Sequence, residues 1–323
     1  MPQYDLPLEE LRDYRPTVRR RDDFAEFWSG TLAESRAAAA PASTRRVDSG
    51  LRLVDTFDLE FSGFGGERVH GWVHVPAGAA GPLPAVVEFI GYGGGRKLAW
   101  QDHAYAEAGY VHVVMDTRGQ GWWAVGATAD HGAGEGIGSI PGQMTRGILD
   151  PADYFYRRVF TDAALLVDAV RELPQVDETR VAVTGGSQGG GIAIAAAALS
   201  EGLVGAAVDV PFLCHFERAV ALTDARPYGE LVDFFARYRD DVERAFDTLS
   251  YFDGVNLAPA ADVPALFSVA LRDDICPPST VFAAYNAWAG PRDIAVYPFN
   301  GHEGGGEHHM LRRLAFFREV FGA

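Results

Sequence analysis

The feature that most restricts the fold is a serine turn between an apolar strand and a helix of small residues. The stretch 181–184 is apolar, residues 185–189 read Gly-Gly-Ser-Gln-Gly, and the alanine-rich segment 187–200 predicts a helix. In such a strand–turn–helix, Ser187 lies on a tight, strained turn at the carboxyl end of a sheet, beside a helix N-terminus. A phosphate-binding loop is the alternative, but neither a P-loop pattern nor an early Gly-x-Gly-x-x-Gly is present. The pattern therefore favours a nucleophilic serine.

Strand and helix patterns alternate over most of the chain and predict the fold class. Short apolar runs typical of strands covered on both faces occur at 85–90, 111–115, 180–184, 204–210, 265–269 and 294–298. Helical patterns separate them at 101–108, 154–172, 187–200, 228–247 and 279–288, and another follows at 307–320. This order predicts an α/β fold with a mostly parallel central sheet and helices on both faces. The alternating runs 51–61 and 69–75 predict an antiparallel N-terminal start.

The chain contains no long linker and no internal repeat, so we expect a single domain over residues 1–323. Residues 1–50 are interpreted as an irregular or helical N-terminal extension whose Phe24, Phe27 and Trp28 dock on the core. The stretches 121–142 and 211–255 are interpreted as insertions or cap elements. In the first of these, Trp122 and Trp123 fit an interface or entrance loop and core packing equally well.

Composition excludes several classes of protein. The 323 residues carry a net charge of −16, which argues against a nucleic-acid partner and against an anionic membrane surface. Cys214 and Cys276 form no disulfide framework and have no metal-ligand spacing. The N-terminus lacks the basic and apolar segments of a signal peptide, and no window approaches a membrane span. These features predict a cytoplasmic protein.

A nucleophilic serine needs a base and a carboxylate that orients the base. In a strand–turn–helix fold of this kind, both residues are expected to follow later strands of the sheet. Asp273 and Asp274 follow the 265–269 run, and His302 follows the 294–298 run. His70, His74 and His112 lie within strand patterns, where histidine is more often a packed or surface residue. His308 and His309 are expected to be exposed in the last helix. A metal cluster of His302, Glu303, His308 and His309 is disfavoured because it lacks His-Glu-x-x-His spacing.

Acyl transfer also requires hydrogen-bond donors for a developing oxyanion. The residue after the nucleophile, Gln188, is expected to supply one backbone N–H. The glycine-rich loop 91–95, which follows the 85–90 run, is expected to supply the other, because glycines let backbone N–H groups point inward. A flexible surface turn is the alternative interpretation of that loop.

Three motifs of the chain resemble those of carbohydrate esterase family 7. They are Asp-Thr-Arg-Gly-Gln at 116–120, the serine turn at 185–189, and His-Glu at 302–303. This is the acetyl xylan esterase and cephalosporin C deacetylase family of α/β-hydrolases. Further agreement at 144–150, 156–162, 249–253 and 276–286 extends the resemblance over essentially the whole chain. One departure is Lys-Leu-Ala-Trp at 97–100, which affects the expected lining of the acyl or alcohol pocket.

The resemblance implies specific roles for the motif residues. Ser187 would be the nucleophile, His302 the base, and Asp273 the orienting acid, because the family's aspartate stands four residues before the first proline, here Pro277. The backbones of Tyr92 and Gln188 would supply the oxyanion hole. The structural motif Arg118, Gly119 and Gln120 would brace the active-site loops by hydrogen bonds.

The resemblance also implies an activity and an assembly. The chain is expected to remove acetyl groups from short acetylated sugars such as xylo-oligosaccharides, and from cephalosporin C, through an acetyl-enzyme. No metal and no organic cofactor is expected, and the family's assembly is a homo-hexamer. Three alternatives stay open: another serine hydrolase of the same fold, such as a short-chain carboxylesterase or an oligopeptidase; a non-catalytic binding protein; and a metal-dependent hydrolase using the 302–309 region.

Overall fold

The strands of the described chain form one nine-stranded sheet. The structure, a computed structural model, describes residues 3–130 and 140–322. The strands are β1 (Ser43–Val47), β2 (Val54–Ser62), β3 (Arg68–Pro76), β4 (Leu83–Phe89), β5 (Val111–Met115), β6 (Val176–Gly186), β7 (Leu203–Asp209), β8 (Ala265–Ala270) and β9 (Arg292–Tyr297). Their order across the sheet is β1-β2-β3-β5-β4-β6-β7-β8-β9.

Pairing within the sheet changes from antiparallel to parallel along this order. The pairs β1–β2, β2–β3 and β3–β5 are antiparallel. From β5 through β4 to β9, every pair is parallel. The predicted mostly parallel sheet with an antiparallel start is confirmed.

The helices lie before, between and after these strands. They are α1 (Leu8–Arg12), α2 (Phe24–Ala38), α3 (Ala104–Glu107), α4 (Phe155–Arg171), α5 (Gln188–Leu199), α6 (Phe216–Leu222), α7 (Tyr228–Arg237), α8 (Val242–Leu249), α9 (Gly254–Leu257), α10 (Pro278–Ala287) and α11 (Gly306–Phe321). The 211–255 stretch is therefore helical and stands between β7 and β8. Its role as a cap, and the single-domain division, stay predictions.

Helices cover both faces of the parallel strands, as predicted. Successive side chains of a strand point to opposite faces. Val87, Val183 and Val208 pack in a core with α4 and α5. Their neighbours Val86 and Ala182 pack in a second core with α11. Both cores consist of buried hydrophobic side chains, so the parallel strands are apolar on both sides.

The sheet reverses its winding direction at β4, which places the candidate site. The chain passes from β4 to β5 on one side and then returns to β6 on the other. A crevice forms outside the carboxyl ends of parallel strands at such a reversal, and ligands bind there. The loop 91–95 after β4 and the serine turn after β6 both open onto this crevice.

Four local predictions need correction or limits. The extension 1–50 is not only helical or irregular, because residues Ser43–Val47 form the edge strand β1. The expected helix at 101–108 is limited to α3, and the 228–247 pattern is divided between α7 and α8. Part of the 121–142 stretch lies outside the described residues. In the described part of the chain, no helix has the length and apolar character needed to cross a bilayer.

Candidate active site

Ser187 lies on the sharp turn that joins β6 to α5. Its φ is 57° and its ψ is −120°, a strained conformation for a residue with a side chain. Small neighbours make the turn possible. A Cβ at Gly185 would lie 2.3 Å from backbone atoms of Gly189, and one at Gly189 would lie 2.0 Å from the carbonyl oxygen of Phe89. The geometry is that of a nucleophile elbow.

His302 and Asp273 complete a hydrogen-bonded chain with Ser187. Asp273 follows β8 and His302 follows β9. Nε2 of His302 lies 2.9 Å from Oγ of Ser187, and Nδ1 lies 2.9 Å from Oδ2 of Asp273. With Nδ1–H donating to the carboxylate, Nε2 is free to accept the serine proton. The structure brings together the three side chains that the sequence order predicted, and Asp273 rather than Asp274 faces His302.

The carboxylate of Asp273 is buried and fixed. Its side chain has no exposed surface, and its second oxygen accepts the backbone N–H groups of Ile275 and Cys276, each at 2.9 Å. Its backbone oxygen accepts the Tyr4 hydroxyl at 2.7 Å. A buried polar group needs such hydrogen-bond partners to offset its loss of water. The carboxylate that orients His302 is therefore held in place.

Two backbone N–H groups beside Ser187 are available to a ligand. Tyr92 belongs to the loop after β4, and Gln188 is the first residue of α5. Neither backbone N–H donates to an acceptor within residues 3–130 and 140–322. Gly93 differs, because its N–H donates to the side-chain oxygen of Gln120 at 2.7 Å. Free donors next to a nucleophile are what a developing oxyanion requires.

The side chain of Tyr92 anchors this loop to α7. Its hydroxyl lies 2.9 Å from Oε1 of Glu230 and accepts the backbone N–H of Gln143 at 2.9 Å. Burial and the neighbouring Glu230 charge raise the pKa of the Tyr92 phenol, so the hydroxyl stays protonated and donates to the carboxylate. Its ring packs edge-on against Trp122 at 5.3 Å between centroids. Glu230 was not singled out from the sequence, because it sits in an ordinary helical pattern.

Arg118 and Gly119 hold the loop that follows β5. The guanidinium of Arg118 is fully buried and forms a fork with Asp162 of α4, with distances of 2.6 and 2.8 Å. It also pairs with Glu67. Gly119 has a φ of 64° and donates its backbone N–H to Thr128 at 2.9 Å. Paired charges at this depth brace the backbone, which agrees with the expected structural role.

Gln120 connects the two sides of the site. Its side-chain nitrogen donates to Oε1 of Gln188 at 2.8 Å, while its oxygen accepts from Gly93. The Tyr156 hydroxyl also donates to Oε1 of Gln188, at 2.9 Å. The loop after β4 and the first turn of α5 are thus fixed relative to each other. These are the two segments that carry the free N–H groups.

The candidate metal ligands of this region are already engaged. Within the described residues, one set of at least three His, Cys, Asp or Glu groups has ligand atoms within 4.8 Å of one another, namely Asp273, Cys276 and His302. Both ring nitrogens of His302 are hydrogen-bonded. Burial and the charge of Asp273 raise the pKa of the Cys276 thiol well above its usual range, which disfavours the thiolate that binds metals.

His308 and His309 do not join the catalytic side chains as a metal cluster. His308 is exposed as expected, but the prediction that His309 is exposed is wrong, because it is 2% exposed. Its Nδ1 lies 2.8 Å from the Tyr297 hydroxyl, and its Nε2 lies 2.9 Å from Asp209. The inward-facing position of His309 on α11 accounts for the difference.

A cavity of about 580 Å³ opens over Ser187 and His302. Its rim includes Trp123, whose side chain is 79% exposed, so Trp123 belongs to the entrance and not to the core. Lys97, from the stretch that departs from the family pattern, also lines the cavity. The volume is within the range of small-molecule sites and exceeds an acetyl group several times.

Comparison with known proteins agrees with this geometry. The family model described as acetyl xylan esterase (AXE1) matches residues 1–320. An acetyl xylan esterase from Paenibacillus sp. R4 is 40% identical, with a TM-score of 0.88 over 96% of this chain and 99% of that one. Acetyl xylan esterase 1 from Thermoanaerobacterium sp. JW/SL YS485 is 35% identical, with a TM-score of 0.89 over 98% of this chain and 100% of that one.

A curated protein, acetyl esterase Axe7A from Xylanibacter ruminicola, is 26% identical over 180 residues. This match spans 55% of the present chain and 40% of the length of that relative. The chain therefore belongs to the acetyl xylan esterase family, a family of carboxylic ester hydrolases built on the α/β-hydrolase fold.

Proposed function

We propose that this protein is a serine esterase that removes acetyl groups from short acetylated sugars. The observation that carries the proposal is the chain Asp273–His302–Ser187, with 2.9 Å at both hydrogen bonds, next to free backbone N–H groups. A serine alcohol is a weak nucleophile until a base takes its proton, and this chain supplies the base and its orienting carboxylate. Family membership supports the acetyl ester as the reacting group.

The reaction proceeds in two acyl transfers. Oγ of Ser187 attacks the acetyl carbonyl while Nε2 of His302 takes its proton, and the N–H groups of Tyr92 and Gln188 bind the oxyanion. The tetrahedral intermediate collapses, the C–O bond to the alcohol breaks, and His302 returns the proton to the departing alkoxide. Water then attacks the acetyl-enzyme with His302 again as the base. Acetate leaves and the Ser187 hydroxyl is restored.

The proposed substrates follow the resemblance and the site. Xylo-oligosaccharide acetates are the main class, and cephalosporin C is a further acetate in the proposal. A general short-chain carboxylesterase or an oligopeptidase is the second candidate, because the same arrangement of serine, histidine and aspartate catalyses those reactions. A panel of acetate, butyrate and longer esters together with a peptide amide separates these candidates. Our proposal predicts a strong preference for acetate.

The test of the serine mechanism compares Ser187→Ala with wild type on 4-nitrophenyl acetate and on an acetylated xyloside. We expect the variant to lose nearly all turnover on both esters and to keep its thermal unfolding temperature. Ser49→Ala, a change of a half-buried serine in the loop before β2, serves as the matched control and is expected to match wild type. Turnover by Ser187→Ala close to that of the control would reject the mechanism.

Assembly is a separate proposal. We propose a homo-oligomer, with the hexamer of the resembling family as the expected state, and a cytoplasmic location. Light scattering coupled to size-exclusion chromatography measures the mass in solution. A mass equal to that of the 34.9 kDa chain at micromolar concentration would contradict the oligomer.

A further inference from the structure

Two glycines flank the oxyanion donor at Tyr92. Gly91 and Gly93 stand on either side of it in the loop after β4, and glycine restricts the backbone dihedral angles less than any other residue. The N–H of Gly93 donates to the Gln120 side chain at 2.7 Å, which holds the loop on one side of the donor. The backbone N–H of Tyr92 has no such bond within the described residues. Its direction therefore depends on where the Tyr92 side chain is held.

Glu230 of α7 gathers three donors on one carboxylate. The Tyr92 hydroxyl lies 2.9 Å from Oε1 and 3.0 Å from Oε2. Oε1 also accepts the backbone N–H of Gly142 at 3.2 Å, and Oε2 accepts that of Met144 at 3.1 Å. The backbone N–H of Gln143, between these two, donates to the Tyr92 oxygen at 2.9 Å. The phenol therefore both donates and accepts a hydrogen bond at this one position.

The ring of Tyr92 is packed on two sides. Trp122 lies edge-on to it at 5.3 Å between ring centroids, and Phe212 lies at 6.4 Å with the ring planes 66° apart. Phe212 belongs to the segment after β7, and its backbone N–H donates to the backbone oxygen of Ser187 at 2.9 Å. The ring thus contacts a residue that is bonded to the serine turn. Packing restricts the ring, and the hydrogen bonds at its end fix its position.

Glu230 can serve as an anchor because α7 is itself attached to the core. Tyr228, at the start of α7, is fully buried, and its ring centroid lies 4.3 Å from that of Phe212. The Tyr228 hydroxyl donates to the backbone oxygen of Cys214 at 3.1 Å and accepts the N–H of the same residue at 3.2 Å. Groups that act on a reacting centre need such a supporting shell, which holds them within about 0.5 Å of the productive position.

A misplaced oxyanion donor lowers the rate of reaction more than it lowers substrate affinity. Negative charge develops on the carbonyl oxygen in both acyl transfers, and a hydrogen bond to that oxygen strengthens as the charge grows. Removal of one such donor lowers kcat about 10²–10³-fold. A donor that is present but poorly aimed lowers the rate of the same two steps by a smaller factor.

We propose that Glu230 is a positioning residue for the oxyanion hole, which acts through the Tyr92 phenol to aim the Tyr92 backbone N–H at the developing oxyanion. Among the described residues that line the cavity over Ser187, Glu230 is absent, so its effect passes through Tyr92. This inference rests on the proposed function and adds a residue to the machinery of that reaction. It also gives α7, in the stretch 211–255, a part in the chemistry.

The first test compares Tyr92→Phe and Glu230→Gln with wild type on 4-nitrophenyl acetate. The two changes keep the size of each side chain and remove, respectively, the hydroxyl and the charge that it contacts. We expect kcat to fall about tenfold in each variant with KM changed less than about twofold, because both acyl transfers are slowed alike.

The matched controls are two exposed residues of the same region, Asp233→Asn in α7 and Tyr238→Phe directly after it. Both controls are expected to match wild type, because neither side chain contacts the loop after β4 in the described structure. Wild-type kcat in Glu230→Gln would contradict the proposal.

The second test asks whether the loss arises at the oxyanion. In 4-nitrophenyl thionoacetate, sulfur replaces the carbonyl oxygen and is a weaker hydrogen-bond acceptor. The quantity measured is kcat/KM for the acetate divided by kcat/KM for the thionoacetate. We expect this ratio to fall about fivefold in Tyr92→Phe and Glu230→Gln, because the oxygen ester depends more on the donors.

Asp273→Asn is the comparison for this ratio. It removes the acid that orients His302 and slows both esters alike, so the ratio is expected to stay near the wild-type value. A merely structural role of Glu230 would also lower both rates by one factor, since partial unfolding removes active protein for either ester. An unchanged ratio in Glu230→Gln would therefore overturn the inference.

The third test is the double variant that combines Tyr92→Phe with Glu230→Gln. If Glu230 acts through the phenol, the double variant loses no more activity than the more affected single variant, because the second change removes an interaction that is already lost. Losses that multiply to about a hundredfold would show that Glu230 acts independently of the phenol, and would contradict the proposal.

The outcomes separate the inference from the function on which it rests. If wild type fails to hydrolyse 4-nitrophenyl acetate, or if Ser187→Ala hydrolyses it normally, the proposed function fails. If wild type hydrolyses it through Ser187 but Glu230→Gln slows both esters equally, only the inference fails. The ratio of the two esters does not depend on the fraction of folded protein, so it decides the question even for an unstable variant.

Discussion

At the residue scale, a substitution of Asp273 tests most sensitively the hydrogen bonds that link Asp273, His302 and Ser187. Replacing it with asparagine keeps the shape but removes the charge that stabilises an imidazolium at His302, and it favours the wrong tautomer. We expect Asp273→Asn to lower kcat roughly 10⁴-fold on 4-nitrophenyl acetate. Asp274→Asn changes the adjacent carboxylate, which does not face His302, and should stay close to wild type. A loss of less than about tenfold in Asp273→Asn would contradict the assigned role.

Gly189 tests the strained turn at Ser187. A Cβ at Gly189 would lie 2.0 Å from the backbone oxygen of Phe89, which cannot shift without moving β4. We expect Gly189→Ala to lower the free energy of unfolding and to reduce turnover together. Gly30→Ala in α2 is the control, since a Cβ there meets nothing within 4 Å and should stabilise the helix by about 0.5–1 kcal/mol. Urea unfolding distinguishes the two; equal stability changes would count against the packing argument.

The sequence predicted some of the residues in the site better than others. Ser187, Asp273 and His302 each follow a strand, so their order along the chain already indicated that they meet at one sheet edge. The burial of His309 was not predicted, because a helix pattern does not show which of two adjacent histidines faces inward. Glu230 was missed for a different reason: its partner Tyr92 lies 138 residues away in sequence, so no local spacing links them.

At the element scale, the buried Arg118 fixes the loop after β5 against α4. Arg118→Ala would leave Asp162 buried without its fork, and we expect a loss of about 3–5 kcal/mol in the free energy of unfolding. Arg36→Ala removes a fork with Asp168 at the surface, where both side chains are over a third exposed, and should cost no more than about 1 kcal/mol. Chemical denaturation measures both. Similar losses for the two variants would refute the bracing role.

Elements with strong periodicity were predicted well, and polar or short ones were not. The apolar strands β4 to β9 and the long helix α4 match their sequence patterns within a few residues. The edge strand β1 reads Ser-Thr-Arg-Arg-Val, and its side chains are mostly exposed. A polar edge strand has no buried face to show in the sequence. Its position depends on pairing with β2, where Arg45 meets Asp58 at 2.7 Å.

At the scale of the whole molecule, buried histidines make stability depend on pH. Burial, and then the neighbouring His112 and His103, lower the pKa of His74 to about 3, and burial lowers that of His215 to about 4. Below about pH 6.5 the unfolded chain therefore binds protons that the folded protein does not. The free energy of unfolding is fully retained above that pH and falls as the pH drops towards 4.

The expected slope is about 1.4 kcal/mol per pH unit for each such histidine. His74→Gln should flatten the decrease between pH 6.5 and 4, whereas His308→Gln, at an exposed position, should leave the slope unchanged. Urea unfolding at a series of pH values provides the comparison. Parallel curves for wild type and His74→Gln would show that His74 does not carry the effect.

The fold as a whole was predictable because its parallel strands are visible as short apolar runs and its motifs follow these runs in a fixed order. The cavity was less predictable from the sequence. Its lining comes from β4, β7, the loop after β9 and α11, and the convergence of Glu88, Asp209 and Arg313 arises only when α11 packs on the sheet. No spacing along the chain encodes that contact. The cavity lining was therefore harder to predict than the positions of Ser187, Asp273 and His302.

The most direct measurement is to trap the acyl group on the protein. Wild-type protein is mixed with isotope-labelled 4-nitrophenyl acetate, quenched in acid within milliseconds, and mapped by peptide mass spectrometry. We predict labelled acetyl on Ser187 at a level matching the initial burst of 4-nitrophenol, and none there in His302→Ala at the same time. Labelled acetyl on a residue other than Ser187 would contradict the account. Steady turnover with Ser187 unmodified and without an initial burst of 4-nitrophenol would contradict it as well.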